Sequence, residues 1–291
     1  MKAYLDYKAI KVLLGEKNYP KRLAKINKPP KQFYYRGSLS SGILSKTIAV
    51  VGTRQMTNYG RIVIDEFVSA FVANGITTIS GFMYGVDTEV HKKTLEYGGK
   101  TISVFGNGLN YVYPAENDKL YSEILNKGGL VISEYEKDMK AQLWTYPARN
   151  RIVAGLATIG VLVVEADLES GSLITAEIVR KQGKKVWAIP GPITSKVSRG
   201  TNYLIKSGYA KVALSPSDIT HMSIKVLQQK LPELNPLEAE IYAILSCENL
   251  TVDDIALKTT ASIINISSTL SMLSLKGIVS EIGGKFYLAK L

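Results

Sequence analysis

A chain of 291 residues with 46% hydrophobic and 21% charged side chains can bury a sizeable core, and its length fits one large α/β domain plus a small second one. No apolar run approaches the ~18 residues that span a bilayer, and Asp6, Lys8 and Lys11 interrupt the mildly apolar start, so neither a membrane span nor a secretory leader is expected and the cytoplasm is. The net charge of +11 predicts a polyanionic partner, whereas one cysteine, Cys247, and two histidines, His91 and His221, supply neither an internal disulfide nor a zinc cluster.

In chain order, residues 1–46 read as an N-terminal extension of the sheet domain: one short helix, a connector broken by Pro20, Pro29 and Pro30, and a strand FYYRG. From Thr47 to Ala213 the runs TIAVVG, ITTIS, KTISVF, LVIS, IGVLVV, KVWAIP and AKVAL alternate with amphipathic stretches. That alternation predicts a doubly wound, largely parallel, Rossmann-like α/β sheet over 47–215. The helix after the first run takes Thr57 or Asn58 as N-cap and ends before Gly75, and Gly98-Gly99 and Gly128-Gly129 close the next two. Residues 216–232 read as a linker. Within 233–291, NPLEAEIYAILS, TVDDIALKTT and SIINISSTLSMLSLKG predict three helices, and IVSEI and KFYLA two strands joined at Gly283-Gly284, which together make a small winged-helix domain. Charge divides the same way: residues 216–291 hold six lysines, no arginine and eight acids, a net −2, so the first 215 residues carry +13 and any phosphate-binding surface belongs there.

The first strand of the sheet domain runs into Gly52-Thr53-Arg54, where a Rossmann domain places its phosphate loop, and backbone amides with a guanidinium suit a phosphate. Neither G-x-G-x-x-G nor G-x-x-x-x-G-K-[ST] is present, and Tyr111 stands at the last glycine position after Gly106-Asn107-Gly108, so no nucleotide cofactor is expected. Gly81 and Gly85 follow the second strand. Asp87 and His91 then share a helical face at i, i+4; without a third ligand or a nucleophile they read as a capping aspartate beside a partly buried histidine, in preference to an acid–base pair or half a metal site. No catalytic constellation is predicted. In WTYPARNRIVAGL, Trp144 and Tyr146 precede a proline at a helix start, and Arg149, Asn150 and Arg151 crowd the first turn, where positive charge calls for an anion nearby. An aromatic beside guanidinium groups is also what a single strand needs, one taking a base and the others the phosphates. The competing structural reading packs Tyr146 in the core and pairs one arginine with Glu134 or Glu165. Ser170-Gly171-Ser172 opens a later helix either as an anion cradle or as plain capping. Lys181, Lys184 and Lys185, with Lys196 and Arg199, either extend a positive channel or stand as solvated charges.

Taken together, VGTRQMTNYG, SGFMYGVDTEVH, GGKTISVFGNGLNYVYPAEN, ISEY, YPARNRIVAGL, EADLESGSLITAE, IPGP and GTNYLIKSG resemble the ordered motifs of the bacterial DNA-processing family DprA, also called Smf, over roughly residues 19–215. The resemblance implies an extended Rossmann fold, single-stranded DNA bound in a basic pocket, a homodimer, and loading of the RecA recombinase onto incoming DNA in natural transformation. Carried over, the pocket comprises Gly52, Thr53, Arg54, Gly81, Tyr146, Arg149, Asn150, Arg151, Ser170, Gly171 and Ser172, with Lys181 beside it. Tyr146 stands where the family usually shows phenylalanine, and Met83 where a small residue is usual, which would narrow the Gly81 loop. The helical N-terminal domain of many members is essentially absent. The alternatives are a nucleotide phosphoribohydrolase of the lysine-decarboxylase-like class, whose Gly-Gly-x-Gly-Thr signature is missing, and a winged-helix transcription factor, which the −2 charge of 216–291 disfavours. The recognition helix has one lysine and a stripe of Ile263, Ile266, Leu270 and Leu273, so protein contact or self-association is expected of it in place of duplex reading.

Overall fold

The computed structural model describes residues 3–220, 234–246 and 248–288; His221 and Cys247 lie outside them, as do most of the expected linker and the first residue of the expected winged-helix domain. The chain divides into two units, Met1–Val226 and Leu227–Leu291. The first begins with a 3-10 turn, Ala3–Asp6, then β1 (Ile10–Leu13), α1 (Lys21–Ala24), β2 (Gln32–Gly37) and α2 (Ser41–Ser45). The alternating core follows: β3 (Thr47–Val51), α3 (Asn58–Ala73), β4 (Thr77–Ser80), α4 (Val86–Glu96), β5 (Thr101–Phe105), α5 (Asp118–Asn126), β6 (Leu130–Ser133), α6 (Thr145–Leu156), β7 (Gly160–Val163), α7 (Gly171–Lys181), β8 (Lys185–Ala188), α8 (Arg199–Lys206), β9 (Lys211–Val212) and α9 (Ser217–Thr220).

These strands form one sheet in the order β1-β2-β6-β5-β4-β3-β7-β8-β9, parallel from β6 to β9 and antiparallel where β2 meets β6 and β1 meets β2. Because side chains alternate across a strand, Ile48 and Val50 of β3 pack under α3 and α4, while Ala49 and Val51 pack with α6 and α7 on the opposite face. Every residue of β3 is buried, as a central parallel strand covered on both faces requires. The chain proceeds from β3 through β4 and β5 to β6, then crosses back to place β7 on the other side of β3. The loops after β3 and β7 therefore leave toward opposite faces and open a crevice at the carboxyl ends of the strands.

Thr57 is the N-cap of α3, its hydroxyl accepting from Gly60 N, and Gly75, Gly98 and Gly128 follow the expected helix ends with positive φ. The strand FYYRG is β2, but the edge strand β1 was not anticipated: Ile10, Lys11 and Leu13 are exposed and only Val12 is buried, so four residues carry no period-2 signal. Arg36 ties this region down. It is buried on β2 and donates to the carbonyls of Tyr7 and Leu109 and to Asn110 Oδ1, with the Tyr4 ring 5.7 Å from its guanidinium.

The second unit comprises α10 (Pro236–Leu245), α11 (Val252–Lys258), α12 (Ile263–Leu275) and the hairpin β10 (Val279–Ile282) and β11 (Lys285–Leu288). The sequence predicts all five elements, and the turn falls at Gly283 and Gly284, both at positive φ. Asn235 and Thr251 each make a capping box that starts its helix. The apolar stripe of α12 turns inward: Ile266, Leu270 and Leu273 are fully buried against Ile241, Ile255 and Phe286. Only Ile263 of that stripe is exposed, so the stripe is the core of the small unit and not a docking surface.

Candidate functional site

A cavity of about 650 Å³ occupies the crevice at the carboxyl ends of β3, β4 and β7. It is walled by the loops after β3, β4 and β7 and by the start of α6. Gly52, Thr53, Arg54, Gly81, Tyr146, Arg149, Asn150, Ser170, Gly171 and Ser172 all line it. Residues from four separate stretches of sequence thus meet in one place.

Two glycines make the approach possible. A Cβ on Gly52 would meet Val86 Cγ2 at 2.5 Å and the Glu165 carbonyl at 2.9 Å, so the loop after β3 passes against α4 only as glycine. A Cβ on Gly81 would collide with Asp87 Oδ2 and with both terminal nitrogens of Arg149. The loop after β3 is also held from behind: the Thr57 amide and hydroxyl both donate to the Glu165 carboxylate. Glu165 is therefore engaged by a threonine and not by an arginine.

Helix α6 begins at Thr145, two residues earlier than expected, so Tyr146 and Pro147 occupy its first turn and Arg149, Asn150 and Arg151 its second. Arg149 and Arg151, two positions apart, point in different directions. Arg149 is 6% exposed, donates through Nη1 to the Val104 carbonyl, and has no hydrogen-bond partner for Nε. Burial pulls its pKa below the usual guanidinium value, and the nearby Asp87 carboxylate opposes that shift. A buried donor without a partner beside a cavity marks a place where a ligand or water completes the hydrogen bonding. Arg151 faces away from the cavity, donating to Glu134 at 2.6 Å and to the Lys28 and Ala148 carbonyls. Asn150 bridges to the Gly171 carbonyl at 3.2 Å.

Arg54 is exposed, and its guanidinium lies 5.7 Å from the centre of the Tyr146 ring, in cation–π range. Tyr146 is half-buried, neither a core residue nor a free surface ring. Burial raises its hydroxyl pKa, with Tyr113 adding to the shift and Arg54 reducing it. Ser170 caps α7, accepting from Ser172 N at 3.3 Å, while the space around the Gly171 Cα is open. Met83 is buried in the loop after β4 and lines the cavity, where its amide donates to Asp87 Oδ2.

The remaining candidates fall elsewhere. Lys181 is exposed and paired with Glu177 one turn back on α7, outside the cavity. Lys184 donates to the Ala154 and Gly155 carbonyls at the end of α6, a cation at a helix C-terminus, so it extends no channel. Arg199 makes a bidentate pair with Asp167 at the cavity rim, joined by Lys196 at 3.7 Å. His91 is fully buried, not partly. Its Nε2–H donates to the Gly81 carbonyl and its Nδ1 accepts from Thr101, so it holds the Gly81 loop in place. The reading of the sequence missed Tyr84 and Tyr113, which line the cavity from two different loops. Their only signal was tyrosine in SGFMYG and in NYVYP.

The architecture defines a doubly wound α/β protein with an open crevice at its topological switch point and an appended winged helix. The description DNA recombination-mediator protein A matches residues 11–223, a DprA winged-helix domain matches 226–285, and the chain belongs to that family. Protein Smf of Escherichia coli is 39% identical over 201 residues, covering 69% of this chain and 53% of that one, so the match spans about half of the longer relative. DNA processing protein DprA of Streptococcus pneumoniae is 40% identical over 201 residues, 69% of this chain and 70% of that one. The structure of DNA processing protein A from Helicobacter pylori, described for its single-stranded DNA binding mode, superposes with a TM-score of 0.65 at 30% identity over 75% of this chain and 95% of that one. Among the described residues no helix is long and apolar enough to cross a membrane.

Proposed function

We propose that the cleft binds single-stranded DNA, and that the protein protects incoming DNA and helps load the RecA recombinase in natural transformation, acting as a cytoplasmic homodimer without covalent chemistry of its own. The observation that carries this reading is Arg54. Among the described residues it has no carboxylate within 4.0 Å, and it stands over the Tyr146 ring at the mouth of the cavity. A phosphate at Arg54 and a base on Tyr146 would be the smallest unit of single-strand recognition. Buried Arg149, with an unpartnered Nε, supports an anion or ordered water deeper in. The single-strand binding described for the H. pylori protein supports the same reading. The winged helix makes contacts with protein in place of duplex DNA: Lys258, at the end of α11, and Lys276, just past α12, are each paired with a glutamate, and α12 itself carries no lysine or arginine.

The test is fluorescence anisotropy of the full chain with oligo-dT and with the matching duplex across a salt series. Tight binding that prefers the single strand, with log K falling by about 0.7 per phosphate neutralised for each decade of salt, is expected. Equal affinity for both forms would rule the reading out. If single strands bind, shortening of the lag before RecA hydrolyses ATP on a strand coated with single-strand-binding protein checks the loading role, and light scattering checks the dimer.

A further inference from the structure

The cavity continues past Tyr146 along two aromatic rings that phosphate binding does not use. Tyr84, before α4, is 42% exposed, and Tyr113, in the loop after β5, is 47% exposed. The Tyr113 ring lies 6.3 Å from that of Tyr146 at 47°, and the Tyr84 ring lies 6.3 Å from Tyr113 at 77°. Two rings that sandwich a base are parallel and about 7 Å apart, twice the ~3.5 Å contact distance. These inclined rings leave no such slot; Tyr84 and Tyr113 are both partly exposed, and because they stand nearly perpendicular a base stacked on one meets the edge of the other.

The polar groups grade along the three rings. Arg54 sits over Tyr146 at one end, and at the other the Tyr84 hydroxyl donates to Glu116 Oε2 at 3.3 Å. A carboxylate beside Tyr84 repels a phosphate and tethers the ring by its hydroxyl. The charged backbone of a ligand is therefore favoured at Arg54 and disfavoured at Tyr84, where an uncharged planar group is accepted.

We infer that Tyr84 and Tyr113 form a second base-stacking shelf, taking an unpaired nucleobase of the same strand whose phosphate sits at Arg54. The inference rests on the single-strand reading of the cleft. Bases in a duplex already stack on one another and present no free face, so the shelf also selects for unpaired nucleotides.

The experiment compares an oligo-dT of about 15 nucleotides with the same strand carrying abasic sites at alternate positions, within the usual range of single-strand footprints. Binding to the full chain is measured by anisotropy, and the thermal melt of each variant reports folding. For the wild type, the intact strand binds roughly tenfold tighter than the abasic one. Tyr84→Leu loses roughly tenfold in affinity for the intact strand and narrows that preference, with its salt slope unchanged, and Tyr84→Phe, which keeps the ring face, recovers it. In the wild type, 2-aminopurine within the strand is quenched on binding, and Tyr84→Leu relieves part of the quenching. A Tyr84→Leu protein that binds both strands as the wild type does overturns the shelf and leaves the Arg54 cleft standing. A salt slope shallower by about 0.7 in that variant would put a phosphate at Tyr84 and overturn the shelf as well. A wild type that binds neither strand overturns both readings.

Discussion

The two units differ in whether a guanidinium is left facing a cavity. In the smaller one, Lys258 and Lys276 are neutralised by Glu248 and Glu238, and α12 directs its apolar stripe into the core. In the larger one, α6 sends Arg151 to Glu134 but turns Arg149 into a cavity with one donor unpaired, and the loop after β3 leaves Arg54 uncovered. Counting charges separates the two units only coarsely. What separates them chemically is which cations have already been satisfied by their own fold.

The largest effect that sharpens this contrast is expected from Leu273→Ala. Leu273 is fully buried in the small unit, and its truncation should cost about 2–5 kcal/mol. Two-probe denaturation should show the small unit unfolding earlier, with single-strand affinity unchanged; a parallel loss of affinity would mean that the winged helix takes part in the cleft's binding.

The second effect is on pH dependence in the larger unit. Burial lowers the His91 pKa from 6.5 to about 4, so the folded state favours the neutral ring. The unfolded chain takes up the proton first as pH falls. The stabilisation is thus complete above about pH 6.5 and is lost progressively toward pH 4, by roughly 3 kcal/mol for this one group. Urea unfolding between pH 7 and pH 4.5 should show a shallower dependence in His91→Gln than in the wild type. Identical slopes would show that His91 does not set it.

Arg54→Glu comes next. The side chain is exposed, so the melt should not move, while affinity for every single strand should fall at least tenfold and the salt slope should become shallower by about 0.7. Anisotropy at two salt concentrations is enough to decide it. The smallest effect is expected at Lys181, whose partner is Glu177 on its own helix and which lies outside the cavity. Lys181→Ala should change stability and affinity by less than about 0.5 kcal/mol, and a loss comparable to that of Arg54→Glu would extend the binding surface along α7.

Much of the larger unit is legible without coordinates. Long β-branched runs followed by amphipathic helices and glycine stops have one economical arrangement, and Thr57, Gly75, Gly98 and Gly128 occur where that arrangement needs them. The same is true of the small unit, where capping boxes and a Gly-Gly turn mark the ends of its elements. The edge strand β1 escaped because exposed edge residues need not alternate. Within the site, the phosphate-loop position of Arg54 and the aromatic–arginine cluster of α6 were visible as local patterns. Tyr84 and Tyr113 were not, since each lies in its own loop and nothing local records that the loops converge.

The sequence by itself determined the order and type of nearly every element, the division of charge between the two units and the segments that meet at the carboxyl ends of the strands, because periodicity, capping and composition are local properties. Only the tertiary structure decided that Arg149 faces the cavity while Arg151 faces Glu134, that Lys184 closes the end of α6, that His91 braces the Gly81 loop and that three tyrosines form one row. Those outcomes depend on which partner reaches each group first once distant segments pack together. Burial and pairing of a side chain are properties of its neighbours in space, and the chain brings those neighbours together only by folding.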